Sequence, residues 1–338
     1  MTGVYLQSYL APFEPWLDRA DVTDILVNRP GELWIEENGG TMTRVPSPEI
    51  TETALNRLAR QVAAASHQGV NREHPLLSAT LPNGARIQIA APPATRESLA
   101  LAIRKHTISN LSLDQLASSG LFAYPRPMAG GHEWRAANEL AMLLERQDLV
   151  GLLKAAVRHK KTIVISGGTS TGKTTLLNAL VHEIPRSERL IVIEDAPEIR
   201  LEHPNAVGLI AVRGDQGEAR IDADDLLRAA MRMRPDRILL GELRGNEAFA
   251  FLRAVNSGHP GSITTVHADS PDGALEQIAL LAMTSGLDLG WSTVRTYVRN
   301  VIDVVVQLDR QDGSRRLTET RLLSRERYTT RMGSEAAA

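Results

Sequence analysis

The sequence predicts an α/β protein in two parts: a smaller α+β N-terminal domain, then a C-terminal domain built on a mostly parallel sheet. Three observations predict it. Short apolar runs alternate with helical patterns through the second half, the signature of buried strands joined by crossover helices. One of those runs opens into a glycine-rich loop that leads straight into a helix. Between the halves the periodicity disappears and glycine and proline cluster.

In the first part, residues 5–17 suggest a short helix. Asp24–Asn28 and Glu32–Glu37 are strand-like and flank the turn signal Arg29-Pro30-Gly31. Leu55, Leu58, Val62 and Ala65 recur at helical spacing over 51–65. Leu76–Leu81, Arg86–Ala90 and Leu99–Ile103 are further strand candidates, the first two joined by the hairpin signal Pro82-Asn83-Gly84. The expected division is 1–117 for the N-terminal domain, 118–137 for a linker, 138–328 for the C-terminal domain and 329–338 for a tail. A surface loop within one domain is the alternative for the linker.

In the second part, strands are expected at Thr162–Ser166, Leu190–Glu194, Ile238–Leu240 and Ile263–Val266. Helices are expected at 138–159, 174–183, 223–234, 246–257 and 272–283.

The bulk numbers bound the function. The chain has 338 residues, enough for a full core, with 43% hydrophobic and 23% charged residues, as in soluble globular proteins. With no cysteine, disulfides and cysteine-ligated metals are excluded. Lys+Arg is 38 and Asp+Glu is 40, a net charge of −2, which speaks against a nucleic-acid-coating protein. No apolar run reaches the roughly 18 residues that cross a bilayer. No basic start precedes an apolar core, so the expectation is a cytoplasmic chain, with peripheral membrane docking left open.

The chemistry is carried by Gly167, Gly168, Thr169, Ser170, Thr171, Gly172, Lys173 and Thr174, which fit G-x-x-x-x-G-K-[ST] without a gap, with Thr175 behind them. Such a loop turns backbone N–H groups onto phosphate oxygens, and the helix that follows adds its positive end. Lys173 would reach the β- and γ-phosphates of ATP, and Thr174 would place its hydroxyl on Mg²⁺. Hydrolysis further needs a metal carboxylate and a group that orients water. Glu194-Asp195 (with Glu198 nearby) and Glu242 both follow apolar strands, at the edge where open α/β sheets bind ligands. His267 follows a third such strand, as a γ-phosphate sensor or a packed histidine. Arg232 and Arg234 end a helix, where cations offset its dipole. Arg86 and Arg104 lie on strand-like segments of the first part, and nothing local singles them out.

These motifs in this order resemble the secretion ATPase superfamily of type II secretion, type IV pili and type IV secretion, over nearly the whole chain. The phosphate loop is followed by an acidic box, Ile193-Glu-Asp-Ala-Pro-Glu198. A second carboxylate motif spans Arg232 to Arg244, and a histidine box spans Gly261 to Ala268. The runs 12–31 and 257–267 are most similar to the type IV secretion (VirB, conjugal transfer) branch. Tight-adherence and type IV pilus motors are the nearest rivals, and a RecA-like nucleic-acid motor is the more distant one. The resemblance implies a RecA-like P-loop ATPase domain and a hexameric ring of identical subunits. The ring would sit at the cytoplasmic face of the inner membrane, with secretion components there as partners and secreted protein, DNA or pilin as indirect substrate. It further implies that each subunit holds ATP between its N-terminal and C-terminal domains, that Arg86 and Arg104 clamp the terminal phosphates, that Glu194 activates water, that Glu242 with Asp195 serves Mg²⁺, and that His267 is the sensor.

Overall fold

The computed structural model describes residues 2–38, 40–105, 112–118, 120, 122, 132–212, 217–286 and 288–324. Helix α1 (Thr2–Leu10) passes through a 3-10 turn at Ala11–Phe13 into α2 (Glu14–Leu17). The single helix expected over 5–17 is broken because Pro12 and Pro15 lack the N–H that would continue it, and each opens a new short segment. Strands β1 (Val22–Val27), β2 (Gly31–Glu37) and β3 (Met42–Ser47) follow, then α3 (Glu52–Ala65), β4 (Leu76–Thr80), β5 (Arg86–Ala90) and β6 (Ala100–Arg104). They form one antiparallel sheet in the order β3-β2-β1-β6-β5-β4. Strand β3 was not expected from sequence. It is polar and carries Pro46, a combination that only an edge strand accommodates.

Both faces of this sheet are covered. Ile25, Ile87 and Ile103 face Leu6, Phe13, Leu55, Leu58 and Val62 of α1, the turn and α3. On the opposite face, Leu26, Trp34, Ala100 and Ala102 join a cluster with Ile191, Leu209, Leu226 and Leu227 of the C-terminal part. Adjacent residues such as Ile25 and Leu26 are therefore both buried, on opposite sides.

After α4 (Leu113–Ser118), the C-terminal part contains α5 (His132–Glu145), α6 (Leu149–Arg158), β7 (Ile163–Gly167), α7 (Lys173–His182), β8 (Leu190–Glu194) and β9 (Ala206–Ile210). It continues with α8 (Ala223–Ala230), β10 (Arg237–Leu240), α9 (Glu247–Asn256), β11 (Ile263–Val266), α10 (Pro271–Met283), α11 (Trp291–Val301), β12 (Val304–Gln311) and β13 (Ser314–Leu322). The sheet order is β13-β12-β7-β11-β10-β8-β9, parallel throughout except for the β12–β13 hairpin. The mostly parallel sheet matches the expected fold class. The helix expected over 138–159 is two helices, because Asp148 caps a new one by accepting the Gly151 N–H at 2.8 Å. Helix α5 already starts at His132. Most of the expected linker, and the tail 329–338, lie outside the described residues. Among the described residues, no helix is long and apolar enough to cross a membrane.

Arg232 and Arg234 do more than end a helix. Helix α8 stops at Ala230, and Arg234 turns with φ +60°. Its guanidinium forms an ion pair with Glu36 of the first sheet and another with Asp236 at 2.6 Å. Arg232 donates to the Ser78 hydroxyl at 2.9 Å. Deeper in the same seam, Arg189 is wholly buried, and its guanidinium donates to Asn28 Oδ1 and Asn205 Oδ1, both at 2.6 Å, and to the Met233 carbonyl at 2.9 Å. Burial pushes its pKa down to about 9.

The side chains of Arg234 and Glu36 are only 19% and 8% exposed, so removing one leaves the other's charge in the seam. Arg234→Ala is expected to cost about 3 kcal/mol, read as a lower urea midpoint. Arg234→Lys keeps the charge, loses the two-pronged contact and costs less.

Candidate active site

The carboxyl ends of β7, β8, β10 and β11 open onto one cleft of about 430 Å³. Its floor is the loop 169–175, which leaves β7 and runs into α7. Gly172, the residue capping α7, has φ +99°, a conformation open to glycine and strained for residues with a Cβ. Together with Ser170 at φ +62°, it gives the loop the tight curl by which successive N–H groups can cradle an anion. The Thr171 hydroxyl donates to the Gly168 carbonyl at 2.9 Å and braces the curl. Gly172 supplies no side-chain cap to α7, whose first residues line the cleft, and an uncapped helix start favours an anion. These features fit a nucleotide's phosphates.

Lys173 donates to the Gly167 and Gly168 carbonyls at 2.8 and 2.9 Å, and its ammonium lies 3.4 Å from His267 Nδ1. Burial lowers its pKa from the ordinary lysine value; Glu242 opposes that shift and Arg244 adds to it.

Glu242 follows β10 and His267 follows β11. Their side chains meet at 2.6 Å, Glu242 Oε1 to His267 Nε2. Arg244 forms an ion pair with Glu242 and lies 3.4 Å from Asp195, so it joins the two acidic motifs. The turn that carries Glu242 is fixed by the Thr265 hydroxyl on the Gly241 carbonyl at 2.8 Å and by the Gly241 N–H on the Ile193 carbonyl at 2.8 Å. At the end of β8, Glu194 is 4% exposed with both oxygens occupied. Its Oε1 accepts the Glu198 and Ile199 N–H groups at 3.0 and 2.8 Å, and its Oε2 pairs with Arg96 of the N-terminal part. Glu198 in turn accepts from the Thr174 hydroxyl at 3.1 Å.

The structure thus brings together the loop, Lys173, Thr174, Glu194, Asp195, Glu242 and His267. Arg86 and Arg104 are not among the residues lining this cleft. They face each other across β5 and β6, exposed, with Arg104 on Asp24 at 2.8 Å. Sequence reasoning missed Arg96, the bridging role of Arg244, and Arg315, whose Cδ packs 3.2 Å from where a Cβ on Gly172 would stand. Arg315 follows Asp312-Gly313, a hairpin turn with both φ positive, and that dipeptide was the available signal.

Among the described residues, no group of three or more acidic or histidine side chains forms a metal cage. Mg²⁺ as a class keeps several waters and takes phosphate oxygens beside one or two protein ligands. Thr174 is placed to supply a hydroxyl, with Glu198, Asp195 and Glu242 at the cleft wall.

Residues 131–336 match the family model described as type II/IV secretion system protein. The type IV secretion system protein VirB11 of Bartonella quintana is 40% identical over 323 residues, covering 92% of this chain and 90% of that one. PtlH, a type IV secretion system protein of Bordetella pertussis, is 42% identical over 310 residues, covering 90% of each chain. The crystal structure of the VirB11 ATPase from the Brucella suis type IV secretion system, in complex with sulphate, superposes with a TM-score of 0.88. It is 36% identical and covers 96% of this chain and 100% of that one.

Phosphate oxygens favour charged Lys173. Because burial lowers its pKa in the protein itself, nucleotide affinity is full below that pKa and falls as pH rises through it, by up to about tenfold per pH unit. The fall is expected at lower pH than an ordinary lysine gives. Titrating fluorescent ADP from about pH 7 to about pH 11 reads it directly, and an affinity that begins to fall only above the ordinary lysine range contradicts the assignment.

Proposed function

The chain belongs to the type II/IV secretion system protein family and is an ATP hydrolase of its VirB11 kind; from that premise we propose that it works as a ring of identical subunits, with each nucleotide held between neighbours. The observation that carries the reading is the split in the site residues. Lys173, Glu242 and His267 converge on the phosphate loop. Arg86 and Arg104 stand paired and exposed outside that cleft.

A phosphate clamp needs bidentate donors from the far side of the nucleotide. The two arginines supply that geometry to an adjoining copy, so the ring closes by repeating one head-to-tail contact. Six copies follow by analogy with the family. The ring docks on inner-membrane secretion components at the cytoplasmic face, and protein, DNA or pilin moves through them rather than through this chain.

Within each site, loop N–H groups and Lys173 hold the phosphates in line for attack. Mg²⁺ would be held by the Thr174 hydroxyl with Asp195, Glu198 and Glu242 beside it, and would supply neutralisation of the phosphate charge. Glu242 orients the attacking water. The contacts of Glu242 lead to His267 and, through it, to Lys173 of the phosphate loop, whereas those of Glu194 lead to its own turn and to Arg96. Water oxygen bonds to the γ-phosphorus, the bridge to the β-phosphate breaks, and the water proton passes to Glu242 or to a phosphate oxygen. His267 senses the change through Glu242.

Glu242→Gln and Arg86→Ala are each expected to lower kcat at least about a hundredfold while ADP still binds. Co-expressed in equal amounts, the two variants should recover about a quarter of wild-type activity, since random rings place some intact loops beside intact arginines. A mixture no more active than its parts assigns the arginines to the chain's own site.

A further inference from the structure

The segment between β5 and β6 docks on the outer edge of the C-terminal sheet. The Ile210 N–H donates to the Ala94 carbonyl at 2.8 Å, and the Arg96 N–H donates to the Gly208 carbonyl at 3.1 Å. Thr95 pairs antiparallel with Leu209. The N-terminal domain thereby adds a short strand to β9, and Arg96 enters the C-terminal domain from that strand.

Its side chain crosses β9 at Gly208. A Cβ at 208 would stand 2.5 Å from Arg96 Cδ, so this strand has room for the arginine only because residue 208 is glycine. Beyond Gly208, Arg96 Nη1 donates to the Ile199 carbonyl at 2.8 Å, and Nη2 meets Glu194 Oε2. The arginine is 16% exposed and the glutamate 4%. Both ends of the turn 194–199 are therefore held by one guanidinium. Glu194 Oε1 closes the same turn from within, through the Glu198 and Ile199 N–H groups. The turn presents Glu198 to the Thr174 hydroxyl, and Asn178 of α7 donates to the Glu198 carbonyl at 3.3 Å.

We propose that Arg96 is a positioning residue for ATP hydrolysis, acting through Glu194 to hold the turn 195–199 against the phosphate loop. It touches neither the cleft's phosphates nor the attacking water. It sets where Glu198 stands beside Thr174, and so how the metal side of the site is built. Because it arrives on the strand that docks the N-terminal domain, any shift of that domain along β9 reaches the acidic turn directly. This rests on the assignment of the cleft as the hydrolytic site, which Glu242→Gln tests separately.

A double-mutant cycle on the full-length assembled protein decides it. Arg96→Ala and Glu194→Ala are each expected to lower kcat about tenfold or more, with KM for ATP within about twofold and a higher Mg²⁺ concentration needed for half-maximal rate. If Arg96 acts through Glu194, the double variant is no slower than the slower single one. Arg96→Lys restores part of the rate by returning the charge. Gly208→Ala crowds the arginine without deleting any charge, so it should lower kcat in the wild-type background and add nothing to Arg96→Ala. That second route serves if Arg96→Ala folds poorly. Multiplicative losses in the double variant overturn the proposal, as does an unchanged or raised kcat in soluble Arg96→Ala.

Discussion

Parallel pairing on both flanks of β7 fixes where every functional group of this chain can stand. Register places Val266 of β11 beside Ser166 and Leu308 of β12 beside Gly167, so neighbouring strands reach the phosphate loop at one level. Leu240 of β10 is level with Ile193 of β8 and Thr264 of β11. Glu194 ends β8, Glu242 stands two residues beyond β10 and His267 one residue beyond β11. These strands are buried on both faces, so a one-residue slip would exchange side chains between two close-packed layers and is disfavoured by mispacking. The acids and the histidine therefore approach the loop from one flank, on β8, β10 and β11. Arg315 approaches from the other, on the β12–β13 hairpin.

The second constraint is that β8 is gripped at both ends by the N-terminal domain. At its foot the buried guanidinium of Arg189, one residue before β8, meets Asn28. At its head Glu194 meets Arg96. Buried charges of this kind add little net stability when paired, but leaving one unpaired costs several kcal/mol. Breaking either grip would leave a buried guanidinium without one of its partners.

The local parts of this design were legible in the sequence. A phosphate loop needs glycine, lysine and threonine at fixed spacing, because the curl and the helix start are made by adjacent residues. The carboxylates could be placed because each follows an apolar run, which puts it at a strand's carboxyl end. What the sequence withheld depends on distant packing. Arg234 looked like a helix-end cation, and its partner Glu36 lies in another sheet. Arg96 sits among ordinary loop residues until β9 and its Gly208 are brought alongside. The family resemblance points to Glu194 as the water-activating acid, but its contacts with Arg96 and with the Glu198 and Ile199 N–H groups depend on packing that sequence does not display. The outer strand β13 was overlooked because it is polar and arginine-rich, with no apolar run to announce it, although β12 beside it opens on Val304-Val305-Val306.

The central claim is that this cleft hydrolyses ATP and that it does so as part of an assembly. The most direct test measures Mg²⁺-dependent ATP hydrolysis across a wide range of protein concentrations, with Lys173→Ala as the control and molecular mass followed in parallel. Specific activity that rises with concentration as the mass grows, beside a silent control, is the result expected. Full activity in a species that stays monomeric throughout would contradict the shared-site account, and equal inactivity of wild type and control in the assembled state would contradict the hydrolytic assignment itself.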